Sequence, residues 1–439
     1  MNIRTVVKKV IPSGLFPAIE PYGHLAEAIA FNTINGFPAK NIKVIGVTGT
    51  NGKTSTCYLI QRMLHEAGYK VGMMTTVAYG VGDDIRPQIH HMTNVGEPEL
   101  MKRLKWMRAQ GVEWLVLETT SHALAQNRVW GVPYSVAVMT NLTHEHLDYH
   151  KTFERYREAK VKLFKLAGVN KHGLQIGIAN AEDPSVDYFT REVPQAITYG
   201  TGKGDLQATD VVSTPEGSTF TARCRYQDQD RELHLRVNVP GTFNVANALA
   251  AAGAGIAVGL SDEQIEQGIA ALEGVEGRMT NINEGQDFSV IVDFAHTPDS
   301  FEKLFKDLRP VATKDGGKLI VMFGSAGRRD ETKRAVQGKL AGEYADEVVI
   351  TEEDDRDIDG LAIMRQIAEG AESAGKVQGR DLFLVHDRTE AIGFAIGRAR
   401  KGDTVLLLGK GHEKTIERAN GENPWDEIGT ARNALKIKR

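Results

Sequence analysis

The segment Gly49-Thr50-Asn51-Gly52-Lys53-Thr54 places small, cationic and hydroxyl residues in close succession. Glycines at 49 and 52 let backbone N–H groups face phosphate oxygens without a Cβ in the way. Lys53 supplies a point charge for β- and γ-phosphates, and the Thr54 hydroxyl is suited to ligate magnesium. The segment therefore predicts a loop that binds ATP, with Ser55 directly after it.

The residues on either side of the loop support this prediction. Lys43 to Thr48 is an apolar run typical of a strand, and apolar residues then recur at helical spacing, at Ile60, Met63, Leu64 and Ala67. The N-terminus of such a helix favours anions. Because Val47 stands where the eight-residue P-loop pattern has its first glycine, a chance Gly-Lys-Thr in a surface turn is the alternative interpretation.

Composition excludes several classes of protein. The chain has 439 residues, 25% of them charged, and a net charge of −4, which gives no basic surface for nucleic acid. Cys57 and Cys224 are its only cysteines, too few for a disulfide framework or a structural zinc site. No apolar run approaches the ~20 residues of a membrane span. We expect a cytoplasmic protein that does not insert into membranes.

Strands and helices alternate after the loop. Apolar strand-like runs occur at Trp114–Leu117, Tyr134–Met139 and Leu174–Ala179. This alternation predicts an α/β fold with a central, P-loop-type, doubly wound and mostly parallel sheet, whose ligands bind at the carboxyl ends of the strands. Alternating residues over about 205–240 predict a small antiparallel β part.

A second alternating unit begins near Phe288 and predicts a C-terminal Rossmann-like α/β domain. Its predicted strands are Ser289–Val292, Lys318–Phe323, Glu347–Ile350, Leu382–Val385 and Thr404–Leu408. We therefore divide the chain into a short lead (1–40, with a helix from His24 to Asn32), a central ATP-binding domain (41–282) and a C-terminal domain (283–439).

Polar side chains follow two neighbouring strands of the predicted central sheet. Glu118 ends one strand and His146 lies just beyond the next, where they could hold a second divalent ion beside the phosphates. The alternative is that both are ordinary hydrogen-bonded loop residues. His144, His146 and His150 look like a zinc cluster, but carboxylates lie among them, and phosphate sites of that composition suit magnesium better. Of these histidines only His146 is predicted to be a ligand.

Taken together, the motifs resemble the Mur ligases, most closely the MurE type. The resemblance covers about residues 41–439 and rests on the runs Gly49–Thr54, Glu118–His122, Asn141–His150, Glu158–Lys160, Gly241–Ala250, Gly277–Met279, Asp293–Pro298 and Gly409–Glu413. It implies ATP-dependent amide formation in peptidoglycan biosynthesis. The γ-phosphate passes to a substrate carboxylate, and the amine of an amino acid then attacks the acyl phosphate.

The resemblance also implies roles for individual residues. Lys160 matches a lysine that carbon dioxide carbamylates, so that it holds the second magnesium with Glu118 and His146. The matching ATP-binding residues are Gly49, Thr50, Asn51, Gly52, Lys53, Thr54, Ser55, Asn244, Asn247, Arg278 and Asp293. The carboxylate-bearing acceptor would pass Thr93, Ser121, Gln126 and Arg128. From sequence alone Lys160 would be an ordinary helix lysine, Asn244 a helix cap and Asp293 a strand-end turn.

The incoming amino acid would be bound by the last domain. MurE ligases that select meso-diaminopimelate carry Asp-Asn-Pro-Arg, where this chain has Glu353-Asp354-Asp355-Arg356. Arg356, with Arg329, could pair with a distal carboxylate, and Glu413, near Gly409, with a distal ammonium. The acidic run could instead be a solvated loop, and lysine is the other amino acid considered.

Other functions compatible with these motifs remain. MurE-type enzymes have an N-terminal domain that binds the UDP end of the substrate, and only about 40 residues precede the loop here. We therefore keep as alternatives an amide ligase of the same fold acting on a lipid-linked or polyglutamate-type acid, a phosphotransferase, and a non-catalytic ATP-binding regulator. The expected partners are small-molecule substrates, and the expected state is a monomer.

Overall fold

A computed structural model of the chain describes residues 16–88, 93–143, 145–214, 217–227, 229–314 and 316–438. The chain divides into two compact units. The first comprises residues 1–212, 219–237 and 244–272, and the second comprises 213–218, 238–243 and 273–439. Residues 1–15 of the predicted lead lie outside the described residues. No described helix is long and apolar enough to cross a lipid bilayer.

The first unit is built on an eleven-stranded sheet with the order β11-β10-β9-β8-β7-β6-β1-β5-β2-β3-β4. Its strands are β1 (Lys43–Thr48), β2 (Val71–Met74), β3 (Ala78–Val81), β4 (Asp84–Pro87), β5 (Trp114–Glu118), β6 (Tyr134–Met139), β7 (Ile176–Asn180), β8 (Gln195–Gly200), β9 (Leu206–Thr214), β10 (Gly217–Tyr226) and β11 (Gln229–Val237). The pairs from β2 through β5, β1, β6 and β7 to β8 are all parallel. The predicted parallel sheet is confirmed.

Further strands lie at both edges of this sheet. The segment predicted to form a small antiparallel part supplies β9, β10 and β11, which extend the same large sheet. At the other edge, β3 pairs antiparallel with both β2 and β4, a short meander that was not predicted. These strands are only four residues long and β4 is exposed throughout, so they lack the alternation that marks a half-buried strand.

The helices of the first unit lie before, between and after its strands in the chain. They span Phe16–Ile34, Lys53–Glu66, Glu97–Ala109, Ser121–Ala125, Leu147–His150, Phe153–Gly168, Val186–Thr190, Phe243–Val258 and Asp262–Ala270. The first of them is longer than the predicted His24–Asn32. It is tied to the unit because Asn32 Nδ2 donates to the Trp130 carbonyl at 3.0 Å and Asn127 Nδ2 donates to the Pro21 carbonyl at 3.1 Å.

Strand register brings the ends of three neighbouring strands to one edge of the sheet. β1 lies between β5 and β6, with Val47 paired to Glu118 and Thr48 paired to Met139. The close packing depends on Gly46, where an added Cβ would lie 2.6 Å from the Tyr134 ring. The segments that follow β1, β5 and β6 therefore start side by side.

The second unit has a six-stranded sheet with the order β12-β13-β17-β14-β15-β16. Its strands are β12 (Thr280–Asn281), β13 (Ser289–Asp293), β14 (Leu319–Phe323), β15 (Glu347–Ile350), β16 (Leu382–Leu384) and β17 (Thr404–Leu408), and a separate hairpin pairs β18 (Thr415–Arg418) with β19 (Gly421–Pro424). Its helices are Pro298–Ala312, Thr332–Tyr344, Gly360–Ser373, Arg388–Arg398 and Glu427–Lys438. All pairs from β13 to β16 are parallel, and β12 runs antiparallel to β13. The predicted second α/β unit is confirmed.

Candidate active site

The loop after β1 has a backbone that requires its glycines. Gly49 has φ +151° and Gly52 has φ +81°. A Cβ on Gly49 would lie 1.8 Å from Thr140 Oγ1, and one on Gly52 would lie 2.3 Å from Asn247 Oδ1. Val47, which replaces the first glycine of the usual pattern, is a buried residue of β1.

The segment after β6 holds this loop in place. Asn141 Oδ1 accepts from Asn51 N at 2.9 Å, and Asn141 Nδ2 donates to the Asn51 carbonyl at 3.0 Å. Thr140 Oγ1 donates to the same carbonyl at 2.6 Å. Lys53 Nζ donates to the Thr50 carbonyl at 2.7 Å, so this side chain folds back along the loop. Ser55 is half-buried in the first turn of the following helix.

Glu118 lies directly beside the loop and is buried. Its Oε2 accepts from Thr54 Oγ1 at 2.9 Å and from Thr76 N at 3.0 Å, and its Oε1 accepts from Thr76 Oγ1 at 2.9 Å. A buried carboxylate beside a hydroxyl offers the hard oxygen ligands that Mg²⁺ prefers. Sequence reasoning did not identify Thr76, which follows β2 and has no motif of its own.

Lys160 brings a buried amine to the same place. It extends from the helix Phe153–Gly168, and its Nζ donates to the Gly49 carbonyl at 2.6 Å. Burial lowers the pKa of this amine well below its ordinary value, and the positive charge of Lys53 lowers it further, against the opposing effect of Glu145 and Glu118. The neutral amine is therefore favoured relative to a solvated lysine.

His146 belongs to a cluster of rings next to this amine. Its ring centroid lies 4.7 Å from that of His122 and 6.2 Å from that of Tyr156, and its Nε2 lies 3.6 Å from Glu145 Oε2. Tyr156 connects the cluster to the loop, because its hydroxyl lies 3.1 Å from Thr50 Oγ1 and its ring centroid 4.7 Å from Lys160 Nζ. Neither Tyr156 nor Glu145 was given a role from sequence.

The remaining histidines of that segment have different positions. His150 Nε2 lies 3.0 Å from Ser121 Oγ, so this buried histidine is hydrogen-bonded to a predicted acceptor-site residue. His144 lies outside the described residues.

Two of the other predicted acceptor residues are linked to Glu118, Arg128 through Asn94 and Thr93 through Thr76. Arg128 Nη1 donates to the Asn94 carbonyl at 2.6 Å, and Asn94 Nδ2 donates to the Glu118 carbonyl at 2.7 Å. Thr93 Oγ1 lies 2.7 Å from Thr76 Oγ1, and Thr76 Oγ1 in turn donates a hydrogen bond to the Glu118 carboxylate. Gln126 follows the short helix Ser121–Ala125. Sequence reasoning missed Asn94 because no motif contains it.

The asparagines predicted to bind ATP occupy the helix Phe243–Val258. Asn247 Oδ1 accepts from Thr56 Oγ1 at 3.4 Å and faces Gly52, and Asn247 Nδ2 donates to Asn244 Oδ1 at 2.9 Å. Asn247 therefore lies against the loop, and Asn244 is hydrogen-bonded to Asn247.

Arg278 and Asp293 both lie in the second unit, close enough for the charge of the arginine to act on the carboxyl group. Asp293 Oδ2 accepts from Met279 N at 2.8 Å, and its Oδ1 accepts from Ala295 N at 2.7 Å. Burial raises the pKa of this carboxyl above its ordinary value, and the charge of Arg278 acts in the opposite direction. The Arg278 guanidinium lies 4.6 Å from the centroid of the Phe294 ring.

Most of the predicted amino-acid residues, Asp354, Arg356, Gly409 and Glu413, lie beyond the carboxyl ends of β15 and β17. Lys410 Nζ lies 2.9 Å from Asp354 Oδ1 and 2.5 Å from Glu413 Oε2, so a buried lysine that sequence reasoning did not select joins two residues that it did. Gly409 has φ +103°, and a Cβ there would lie 2.7 Å from Glu353 Oε2.

The two predicted arginines of this region have different environments. Arg356 Nε donates to Glu417 Oε2 at 2.7 Å. Arg329 follows β14 and is exposed, and it takes no part in the hydrogen bonds of Arg356 to Glu417 and Gly327.

Comparison with known proteins gives the family. Residues 47–255 match the Mur ligase middle domain, and residues 277–411 match the Mur ligase, glutamate ligase domain. The chain is 40% identical over 432 residues to a UDP-N-acetylmuramyl-tripeptide synthetase of Roseiflexus sp. (strain RS-1), covering 95% of this chain and 84% of that protein. The chain belongs to the Mur ligase family.

Two further comparisons agree with this family. The chain is 38% identical over 425 residues to a UDP-N-acetylmuramoyl-L-alanyl-D-glutamate--2,6-diaminopimelate ligase of Geobacillus thermodenitrificans (strain NG80-2), covering 96% of this chain and 84% of that protein. A solved structure of a ligase with that name shares 27% identity with a TM-score of 0.64, covering 96% of this Mur ligase and 83% of the solved chain. This Mur ligase is an ATP-dependent amide ligase.

The burial of Lys160 should be measurable as a pH-dependent cost in stability. We expect Lys160→Met to raise the free energy of unfolding at pH 7 in CO₂-free buffer, because the folded chain disfavours the protonated amine. In the unfolded chain the amine stays protonated up to about pH 10.4. The free energy of unfolding of the wild type therefore rises with pH from the lowered pKa of the folded state to that value, and the difference between the two proteins disappears. Urea titrations at several pH values measure this difference in unfolding free energy.

Lys165→Met, at an exposed position of the same helix, is the matched control and should show no such convergence. A Lys160→Met protein that is less stable than wild type by the same amount at every pH would contradict the prediction.

Proposed function

We propose that this Mur ligase joins an amino acid, meso-diaminopimelate or lysine, to the free carboxyl group of a muramoyl-dipeptide-type peptidoglycan precursor. ATP supplies the driving force and is converted to ADP and phosphate. The observation that carries this proposal is the contact of Thr54 with the buried Glu118 carboxylate at 2.9 Å, directly after the glycine loop. The names of relatives that match nearly the whole chain support the choice of substrates.

The residues around the loop fit ATP and magnesium. The space at Gly49 and Gly52 is closed to any Cβ, as expected where a backbone approaches phosphates. Lys53 would hold the β- and γ-phosphates, and the oxygens of Thr54 and Glu118 would hold a magnesium ion. When bound, this ion would neutralise the negative charge that develops on the phosphates.

The chemistry then needs two displacements. An oxygen of the acceptor carboxylate attacks the γ-phosphorus, and the bond from that phosphorus to the β–γ bridging oxygen breaks, which releases ADP and leaves an acyl phosphate. The neutral amine of the amino acid attacks the acyl carbon, phosphate leaves with the electron pair of the C–O bond, and the amine proton is released. Ser121 and Arg128 would orient the acceptor, and the loop would hold the phosphates in line.

We further propose that Lys160 carries a carbamate when the enzyme is active. Its neutral amine can attack carbon dioxide, forming an N–C bond and releasing one proton. The product is an anion where the free lysine would be a cation next to Lys53. That anion would provide oxygen ligands for a second magnesium beside Glu118 and His146. The burial of Lys160 and its lowered pKa support this step.

We propose that residues 41–282 form the ATP-binding domain and 283–439 the domain that binds the incoming amino acid. The loop, Glu118 and Lys160 lie in the first unit, and Asp354, Arg356, Gly409 and Glu413 lie in the second.

Removal of the phosphate-binding charge should abolish ligation. Lys53→Ala is expected to lower kcat/KM at least about 10²-fold, as the loss of one donor to a transition-state charge does elsewhere. The measurement is ADP release with UDP-muramoyl-dipeptide and each candidate amino acid. Lys171→Ala, at an exposed position, should keep full activity. Normal ligation by Lys53→Ala would show that the loop does not bind the ATP phosphates.

The carbamate can be observed directly by ¹³C NMR after ¹³C-bicarbonate is added. We expect a carbamate resonance in the wild-type protein that is missing in Lys160→Ala. Lys162→Ala should retain the resonance, because this lysine is only half-buried, two residues further along the same helix. The same resonance in wild type and Lys160→Ala, or none in either, would show that Lys160 is not modified.

A further inference from the structure

The hairpin β18–β19 packs its first strand against the loop that follows β15. Arg356 N donates to the Glu417 carbonyl at 3.0 Å, and Glu417 N donates to Asp354 Oδ1 at 2.9 Å. The side chains join as well, because Arg356 Nε donates to Glu417 Oε2 at 2.7 Å. Two hydrogen bonds donated by backbone amides and an ion pair therefore fix Glu417 beside the segment proposed to receive the amino acid.

The guanidinium of Arg356 is held from a second direction. Its Nη1 donates to the Gly327 carbonyl. The side chain is 18% exposed, so the guanidinium is mostly enclosed by these partners, although Glu417 itself is 41% exposed. A partly exposed ion pair is weak by itself, but the backbone bonds already hold both residues in position, which lowers the entropy cost of the pair.

The other cation of this region is also paired. Lys410 is buried and contacts both Asp354, at 2.9 Å, and Glu413, at 2.5 Å. These two carboxylates hold the pKa of Lys410 above its ordinary value even though burial acts to lower it. The positive charge of Lys410 is therefore not available to a further carboxylate.

Acidic groups outnumber basic ones in this network. Four carboxylates, Glu353, Asp354, Glu413 and Glu417, stand against the two cations Lys410 and Arg356. The cations Arg388 and Arg328 also act on Glu353 and Glu417, but each is paired with a further carboxylate, Glu427 and Asp357 respectively. Burial raises the pKa of the Glu413 carboxyl, and the nearby Asp354 and Glu353 raise it further, although Lys410 opposes them. The network lacks positive charge, and an ammonium group would supply it.

We propose that Glu417 is a specificity-determining residue, which occupies Arg356 and makes the site select an amino acid with a cationic side chain and no second carboxylate. Lysine and ornithine have this chemistry, and a diamino dicarboxylic acid does not. A distal carboxylate would have to displace Glu417 from Arg356 and enter a region with excess negative charge. The proposal rests on the proposed function for the location of the amino-acid site.

The wild-type protein provides the first test, by calorimetric titration with lysine and with meso-diaminopimelate and by kcat/KM for each in the ligation assay. We expect lysine to be preferred at least about tenfold, equivalent to about 1.4 kcal/mol. Preference for diaminopimelate, or binding of neither amino acid, would overturn the inference.

The variant Glu417→Gln tests the residue itself. Freed from its partner, Arg356 should accept a distal carboxylate, and the ratio of lysine to diaminopimelate should shift at least about tenfold towards diaminopimelate, mostly through KM. Glu422→Gln is the matched control, since Glu422 pairs with Glu417 across the hairpin and is exposed. An unchanged ratio in a Glu417→Gln protein with wild-type thermal stability would overturn the inference.

Failure of the inference is distinguishable from failure of the proposed function. If the protein ligates diaminopimelate in preference to lysine, the proposed function holds and the proposed role of Glu417 is wrong. If it binds lysine selectively, loses that selectivity in Glu417→Gln and forms an amide with no amino acid, the role of Glu417 holds and the proposed ligase activity is wrong. Glu417→Ala provides a second variant, with the same expected shift, if the glutamine protein is unstable.

Discussion

The hydrogen bond from the Thr54 hydroxyl to the Glu118 carboxylate is the contact on which the first site depends. It joins the loop after β1 to the end of β5, and it can form only because the register pairs Val47 with Glu118. A shift of that register by one residue would turn the Glu118 side chain to the other face of the sheet. The apolar strands therefore contribute to the chemistry by setting where polar side chains begin.

The site buries ionisable groups that a fold selected for stability alone would avoid. Glu118 and Lys160 are both almost completely buried, and both use hydrogen bonds to polar groups of neighbouring segments. Burial of an ionised group without full compensation is costly. We interpret this cost as the reason for the positions of Thr76 and Tyr156, which contact Glu118 and enclose the lysine amine.

The sequence predicted the parts that depend on local pattern. The glycine loop, the parallel strands and the position of Glu118 at the end of β5 follow from short runs of residues and from the rule that ligands bind at the carboxyl ends of parallel strands. Lys160, Asp354 and Arg356 came from family resemblance, since nothing in their neighbourhood marks a helix lysine or a charged loop residue as functional.

The missed residues act through contacts between distant parts of the chain. Thr76 and Asn94 reach Glu118 over 42 and 24 residues, and Glu417 reaches Arg356 over 61. Periodicity and motifs describe neighbours along the chain, so they cannot indicate such pairs. The edge strands β3 and β4 were missed for a related reason, because four exposed residues in β4 carry no alternation.

Crystals grown with a non-hydrolysable ATP analogue and Mn²⁺, examined by anomalous scattering, would locate the nucleotide and its metal ions. We expect a triphosphate over Gly49–Thr54 and two manganese peaks about 4 Å apart, one against Thr54 and Glu118 and one on the side of Lys160. A triphosphate bound elsewhere, or manganese that does not contact Glu118, would contradict this expectation.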